Sequence, residues 1–242
     1  MALSLHPPFP PMEARSVDEI PAEEGWQYEP KWDGFRCLAF RDGDEIYLQS
    51  KAGQPLARYF PDVVQSLGEL KAKKFVLDGE LVIPVDGALS FDELQLRLHP
   101  AASRVQKLAA AHPAMFVVFD LLAGADGKSL VADPLPQRRA ALETFAAKFF
   151  PNEKQIRLSP ATTDLKQAQK WFKKVGGDLD GIIAKRCDAA YASGERTAMV
   201  KIKQIRTVDC VIGGFRYATN SKLIGSLLLG LYDDEGLLHH VG

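Results

Sequence analysis

A lysine beside a tight turn stands near the start of the chain, in the segment Glu29–Arg36, which reads Glu-Pro-Lys-Trp-Asp-Gly-Phe-Arg. Strand-like runs flank this segment, so the ammonium group of Lys31 is expected at the end of a strand. Lysines carried on loops are usually solvated, and the segment alone therefore favours a surface residue over a nucleophile.

Charge also interrupts several later apolar strands, where a half-buried strand should carry none. The positions are Asp78 and Glu80, Asp120 after Phe119, Asp180 with Lys185, and Lys201 with Lys203. Lys201 and Lys203 are two residues apart and so face the same side of a strand. A solvated sheet face would account for that pair, but poorly for the whole set. Lysines and carboxylates that converge in one groove suit a metal-bound polyphosphate, because cations neutralise phosphate oxygens and carboxylates bind Mg²⁺.

The order of the predicted elements indicates an α+β fold with largely antiparallel sheets and flanking helices. Hairpins are expected around Asp42–Asp44 and Val85–Gly87, and a buried strand over Met115–Leu122. Helices are expected over Tyr59–Leu70, after the capping residue Ser90, over Pro136–Phe149 and over Leu165–Val175. Further strands are expected over Ile156–Leu158, Gly181–Lys185, Met199–Lys203, Val208–Tyr217 and Leu227–Asp233.

The charged segments occur in the order and approximate spacing of the motifs of covalent nucleotidyltransferases. The motifs are Lys31–Gly34 with Arg36, Ser50–Gly53, Asp78–Glu80, Phe116–Asp120, Asp180–Lys185 and Lys201–Lys203. The chain resembles an ATP-dependent DNA ligase of the small bacterial, end-joining type. A single Lys-x-Asp-Gly is a weak pattern, but the ordered set from Lys31 to Lys203 is specific and covers the whole main domain.

The resemblance implies three phosphoryl transfers: lysine attacks the α-phosphate of ATP, AMP passes to a 5′-phosphate at a nick, and the 3′-hydroxyl then displaces AMP. It implies that Lys31 is the nucleophile that carries AMP covalently. Lys185, Lys201 and Lys203 would favour its neutral amine and hold the transferring phosphate. An amine must be neutral to attack, which is why neighbouring cations matter.

The resemblance also assigns the residues that bind the nucleotide and the metal. Glu29 would contact the adenine amino group, Arg36 the sugar side of AMP, and Phe119 would stack on the purine. Lys51 stands where many relatives have Arg. Glu80 and Asp180 would bind Mg²⁺ or Mn²⁺, although the family most often has Glu at the position of Asp180.

Two domains are expected: an adenylation domain over residues 1–206 and, over residues 207–242, the truncated start of an OB-fold barrel. The lead-in segment, residues 1–25, is Pro-rich and is expected to wrap the first strand. Only two strands and part of a third are expected where such a barrel needs five, and the last motif of the family, which is basic, is absent.

Composition bounds the remaining properties. A net charge of −1 gives no overall field for a polyanion, so nicked double-stranded DNA must be bound by a local basic surface. The longest apolar stretch, Met115–Ala123, contains Asp120 and is too short to span a membrane. The absence of a secretion signal and of paired cysteines indicates a cytosolic protein. The resemblance implies a monomer in the bacterial cytosol, with end-joining repair proteins as its partners.

Two alternatives remain open from the sequence. An RNA ligase or a capping guanylyltransferase would use the same lysine chemistry, although Glu29 and the lead-in segment disfavour them. A non-catalytic module that binds a nucleotide or a nick would result if the incomplete barrel prevented chemistry. Covalent labelling by ATP separates an enzyme from a binding module.

Overall fold

A computed structural model of the chain describes residues 3–150, 155–175, 179–204 and 207–242. The chain divides into two compact units, residues 1–204 and residues 205–242. The domain boundary expected at Arg206 lies outside the described residues.

Strands dominate the first unit, as the alternation of apolar residues indicates. They are β1 (Arg15–Ser16), β2 (Trp26–Trp32), β3 (Phe35–Asp42), β4 (Glu45–Ser50), β5 (Lys74–Val82), β6 (Pro84–Val85), β7 (Ala88–Leu89), β8 (Met115–Ala123), β9 (Ile156–Leu158), β10 (Leu179–Arg186) and β11 (Met199–Lys203). The helices are α1 (Pro61–Glu69), α2 (Phe91–Leu96), α3 (Ala102–Ala111), α4 (Leu135–Phe149) and α5 (Leu165–Phe172).

Two sheets organise this unit. The first sheet has the strand order β4-β3-β5-β8-β9, and the second has the order β1-β11-β10-β2. Strands β8 and β9 pair in parallel, as do β1 and β11, and the other pairings in these sheets are antiparallel. The predicted α+β class with largely antiparallel sheets and flanking helices is confirmed.

Apolar side chains form separate clusters on the faces of these sheets. One cluster packs helices α1 and α4 against the first sheet, with Phe75, Phe116 and Leu142 fully or nearly fully buried. A second cluster lies between the two sheets and joins Leu38 of β3 to Met199 of β11. A third covers the other face of the second sheet with α5. Functional side chains at the facing edges of the two sheets are therefore held by packed strands.

Most predicted elements are present, with boundary shifts. Ser90 caps α2 by accepting a hydrogen bond from the Glu93 amide at 3.2 Å, as predicted. The expected helix over Leu165–Val175 ends at Phe172. Helix α3 was not predicted from the sequence, since it has no side-chain cap and presents only Val105 and Ala109 to the core.

The second unit is a three-stranded antiparallel sheet with the order β12 (Val211–Tyr217), β13 (Ile224–Tyr232) and β14 (Leu238–His240). Within residues 207–242 these strands form an open sheet. The two strands expected there are present, and β13 begins earlier than expected. None of the described helices is long and apolar enough to cross a membrane.

Candidate active site

A cavity in the first unit brings together most of the side chains that the sequence motifs single out. It is lined by the predicted residues Glu29, Lys31, Arg36, Lys51, Glu80, Phe119, Lys185 and Lys201. They come from β2, β3, β5, β8, β10 and β11 and from the loop after β4. Residues far apart in the sequence thus converge because both sheets contribute to one cavity.

Lys31 occupies the strand end at which the sequence placed it. It lies near the end of β2, where it pairs in register with Gly181 of β10. Its Nζ atom lies 2.5 Å from Oδ2 of Asp180, and Lys203 Nζ lies 2.7 Å from the same oxygen. Burial would raise the pKa of Asp180, but hydrogen bonds from Lys203 and Lys31 outweigh it and hold that pKa below its ordinary value.

Lys201 completes a group of three lysines on the second sheet. It pairs in register with Ile183 of β10 and lines the cavity, while the neighbouring Val200 and Ile202 are buried on the other face. Burial lowers the pKa of Lys201, and the charges of Lys203 and Lys31 lower it further. Asp180 is the carboxylate that pairs with Lys31 and Lys203. The three lysines therefore leave an excess of positive charge here, which favours binding of a polyphosphate.

Arg36 is fixed by a buried carboxylate. Its Nε and Nη2 donate to the two oxygens of Asp78 at 2.5 and 2.6 Å, and Tyr191 Oη donates to Asp78 at 2.6 Å. Burial opposes the charge on Arg36, but the ion pair with Asp78 raises its pKa overall. The guanidinium carbon also lies 4.5 Å from the centre of the Phe119 ring. These contacts hold the Arg36 side chain in one orientation along the wall of the cavity.

A second buried ion pair also lies against Phe119. Lys185 Nζ is 2.9 Å from Glu29 and 4.8 Å from the centre of the Phe119 ring. Glu29 also accepts a hydrogen bond from the Gln27 side chain at 2.8 Å. Asp120, paired with Arg138 at 2.9 Å, lies 3.9 Å from Lys185. Lys185 is therefore engaged by carboxylates, in contrast to Lys201.

Glu80 faces the cavity from β5, where it pairs in register with Arg36. Burial raises its pKa to about 7, although the charges of Arg36 and Lys31 act in the opposite direction. Near neutral pH such a carboxyl group is only partly ionised, and a cation that approached it would favour its charged form.

The lead-in segment contributes a wall of the cavity that the motifs did not indicate. Pro11, Met12, Glu13 and Ala14 line the cavity beside Lys31 and Lys51. Their run of prolines predicted an extended chain, which is present, but no spacing rule relates them to the site. Tyr191, Arg138 and Arg196 were also missed, since each reaches the site through tertiary contacts.

Carboxylates that could bind a divalent cation are few in the described part of the chain. No group of three or more acidic, histidine or cysteine side chains there has the geometry of a metal site. Mg²⁺ is often held by one or two carboxylates together with substrate phosphates. Glu80 inside the cavity, and Asp180 beside Lys31, fit that donor set.

Comparisons with known proteins show the family of the chain. The family model "ATP dependent DNA ligase domain" matches residues 11–203. DNA ligase C2 of Mycolicibacterium smegmatis is 49% identical over 244 residues, covering 100% of this chain and 67% of that protein. The multifunctional non-homologous end joining DNA repair protein LigD of Mycobacterium tuberculosis is 34% identical over 88% of this chain and 26% of its own length.

The fold is likewise similar to that of a solved ligase. A structure described as mycobacterial DNA ligase D complexed with ATP and MES superposes with a TM-score of 0.67 at 30% sequence identity. The match covers 97% of this chain and 71% of that one. The two sheets thus have the fold of a DNA ligase.

The chain belongs to the family of ATP-dependent DNA ligases. It is most similar, among the relatives described here, to DNA ligase C2. The resemblance stated from the motifs and the predicted enzyme class are confirmed, as is the use of ATP. Nothing in these comparisons favours an RNA ligase, a capping enzyme or a non-catalytic module.

Proposed function

We propose that this chain seals 5′-phosphate/3′-hydroxyl nicks in double-stranded DNA, with Lys31 as the nucleophile. The observation that carries the proposal is the position of Lys31 in the shared cavity, in contact with Asp180 and beside Lys201 and Lys203. An amine at the end of a rigid strand, surrounded by cations, is suited to attack a phosphate that those cations hold.

In the first step Lys31 Nζ attacks the α-phosphorus of ATP. A nitrogen–phosphorus bond forms, the bond to pyrophosphate breaks, and the attacking nitrogen releases one proton to solvent. Lys201 and Lys203 neutralise the charge on the phosphate oxygens, since both lie on one face of β11 and Lys203 shares Asp180 with Lys31. In the second step the 5′-phosphate of the nick displaces Lys31, and in the third the 3′-hydroxyl displaces AMP.

The nucleotide fits between the two sheets. Phe119 offers a ring face for the purine, and Glu29 lies beside it to accept a hydrogen bond from the adenine amino group. Arg36, held by Asp78, faces the sugar side of AMP. Lys185 forms an ion pair with Glu29. It therefore compensates the charge of Glu29 and also fixes the carboxylate that is proposed to contact the base. Lys51 reaches the cavity from the loop after β4.

Glu80 and Asp180 are proposed to bind Mg²⁺ or Mn²⁺. The raised pKa of Glu80 supports this assignment, because its surroundings disfavour the ionised carboxylate and a bound metal ion would stabilise that form. When bound, the metal would offset charge on the phosphates. Asp180 would have to share its oxygens between the metal and the two lysines.

The organisation of the chain follows from the same proposal. Residues 1–206 would form the adenylation domain, and residues 207–242 part of an OB-fold domain. The relative named for non-homologous end joining supports end-joining repair proteins as partners. We propose that the enzyme acts as a monomer in the bacterial cytosol.

The test is covalent labelling with ATP that carries radioactive α-phosphate. Lys31→Arg retains the positive charge that pairs with Asp180, but its guanidinium stays protonated and cannot attack. We expect the variant to fold and its labelling to fall by more than about a thousandfold. The exposed Lys107→Ala, on α3, serves as the matched control and should label normally. Labelling of Lys31→Arg at the rate of the unmodified chain would assign the nucleophile elsewhere.

A further inference from the structure

Glu13 of the lead-in segment bridges two cations at the edge of the cavity. Its Oε2 atom lies 3.0 Å from Lys51 Nζ and 2.9 Å from Arg196 Nη2. Lys51 follows β4 in the first sheet, whereas Arg196 precedes β11 in the second. One carboxylate thus joins cations from both sheets, and it lines the same cavity as Lys31.

The backbone holds Glu13 in this position. Its amide donates to the Glu195 carbonyl at 2.8 Å, and the amide of Met12 donates to Tyr191 Oη at 3.0 Å. The Gly194 amide donates to the Pro11 carbonyl at 3.2 Å. The carboxylate is therefore placed between its two partners by a fixed main chain.

The exposure of these side chains favours replacement of the Glu13 carboxylate by another anion. The side chains of Lys51 and Arg196 are 59% and 66% exposed, and that of Glu13 is 25% exposed. Exposed ion pairs contribute little to stability and are easily replaced. A phosphate group offers more negative charge and more acceptor oxygens than a carboxylate, so it competes well for the same two cations. Hydrogen bonds from Lys51 and Arg196 also keep the pKa of Glu13 below its ordinary value.

We propose that Glu13 is a positioning residue for DNA binding. It takes the place of a DNA phosphate between Lys51 and Arg196 in the free enzyme and yields that place when a nicked duplex binds. This inference rests on the proposed function. The lead-in segment thereby sets the affinity for the nick, because Glu13 keeps the two cations together while its charge opposes the incoming phosphate.

The experiment measures binding of a fluorescent nicked duplex with a 5′-phosphate to the full chain at several salt concentrations. Glu13→Gln should bind the duplex about 2- to 10-fold more tightly, because two exposed ion pairs no longer compete. Its affinity should also fall more steeply with salt, with a log–log slope larger by up to about 1. In the unmodified chain, the carboxylate that leaves Lys51 and Arg196 takes up a counterion and so offsets one that the DNA releases, whereas the Gln side chain takes up none. A purely structural role of Glu13 would not steepen this slope.

Glu19→Gln is the matched control, because it removes the same charge from an exposed position of the lead-in segment. It should leave both quantities unchanged. The gain from Glu13→Gln should be smaller in an Arg196→Gln background, since Glu13 then pairs with Lys51 alone and the two changes are not additive. Equal or weaker binding by Glu13→Gln, with covalent labelling by ATP intact in the unmodified chain, would overturn the inference and leave the proposed function standing. A chain that neither labels nor binds the duplex would overturn both.

Discussion

Several charged residues of the site form ion pairs within the protein. Asp78 holds Arg36, Glu29 holds Lys185, and Asp180 holds Lys31 and Lys203. Burying an isolated charge is costly, and pairing lowers that cost while fixing each side chain in one orientation. Glu80 differs from these carboxylates, since burial dominates its environment and raises its pKa to about 7.

The raised pKa of Glu80 makes stability depend on pH. Between its ordinary value of 4.5 and about 7, the folded chain binds a proton that the unfolded chain has lost, so the free energy of unfolding falls as pH rises. The side chain of the Glu80→Gln variant cannot ionise, so its free energy of unfolding should not show this fall. Relative to the unmodified chain, the variant should gain about 1–3 kcal/mol between pH 5 and pH 8.

Urea unfolding of both chains at the two pH values, without nucleotide or metal, checks this expectation. Glu45→Gln, an exposed residue at the start of β4, is the control and should show no such trend. A stability difference between Glu80→Gln and the unmodified chain that is the same at pH 5 and pH 8 would show that Glu80 is not a buried, proton-binding carboxyl group.

At the scale of elements, the glycines of the motifs permit strands to approach closely. A Cβ atom on Gly34 would lie 2.2 Å from the Leu81 carbonyl oxygen, and one on Gly79 would lie 2.5 Å from that of Val117. Gly181, with a φ of 154°, would place a Cβ atom 2.0 Å from the Ile202 carbonyl oxygen. Each glycine follows an aspartate, so the motifs combine a charged group with a position where only glycine fits.

Gly79→Ala should therefore destabilise the chain. The added methyl group would meet the Val117 carbonyl and the Phe116 ring, which belong to a packed sheet and cannot move without shifting β8. We expect a loss of about 1–3 kcal/mol, the usual range for an overpacked core. Gly68→Ala in α1 is the control: its methyl group would lie 3.6 Å from Ile46, and alanine favours a helix.

Thermal unfolding followed by circular dichroism measures both variants. The control should be as stable as the unmodified chain or slightly more stable. If Gly79→Ala unfolded at the same temperature as the unmodified chain, β5 and β8 would not approach as closely as the structure shows.

At the scale of the whole molecule, the three buried apolar clusters all lie in the first unit, within residues 3–202. In the second unit many large apolar side chains are exposed, among them Ile212, Leu223 and Tyr232. The stability of the first unit should therefore come from its own core. A chain that ends at Gln204 should fold, and its melting temperature should lie within about 4 °C of that of the full chain.

Calorimetry of the two chains tests this expectation, and near-ultraviolet circular dichroism reports whether the aromatic core of the shortened chain is packed. Unfolding of the shortened chain without a cooperative transition would contradict it, and would mean that residues 205–242 are needed for the first unit to fold.

The sequence by itself determined the chemistry of this protein. The ordered motifs identified the family, and alternation of apolar residues predicted most strands, because both signals are local. Helix α3 escaped prediction since it has no side-chain cap and buries few side chains, so neither local signal marks it.

Only the tertiary structure decided how the motif residues are paired and what else surrounds them. Asp180 faces Lys31 because β10 and β2 pair in one register. Arg36 reaches Asp78 from the neighbouring strand β3, and Tyr191 and Phe119 contact this pair from other parts of the chain. Glu13 reaches Lys51 and Arg196 through hydrogen bonds of the lead-in segment to a loop more than a hundred residues away. Spacing in a sequence carries information within an element, whereas contacts between sheets depend on packing of the whole chain, which no single segment encodes.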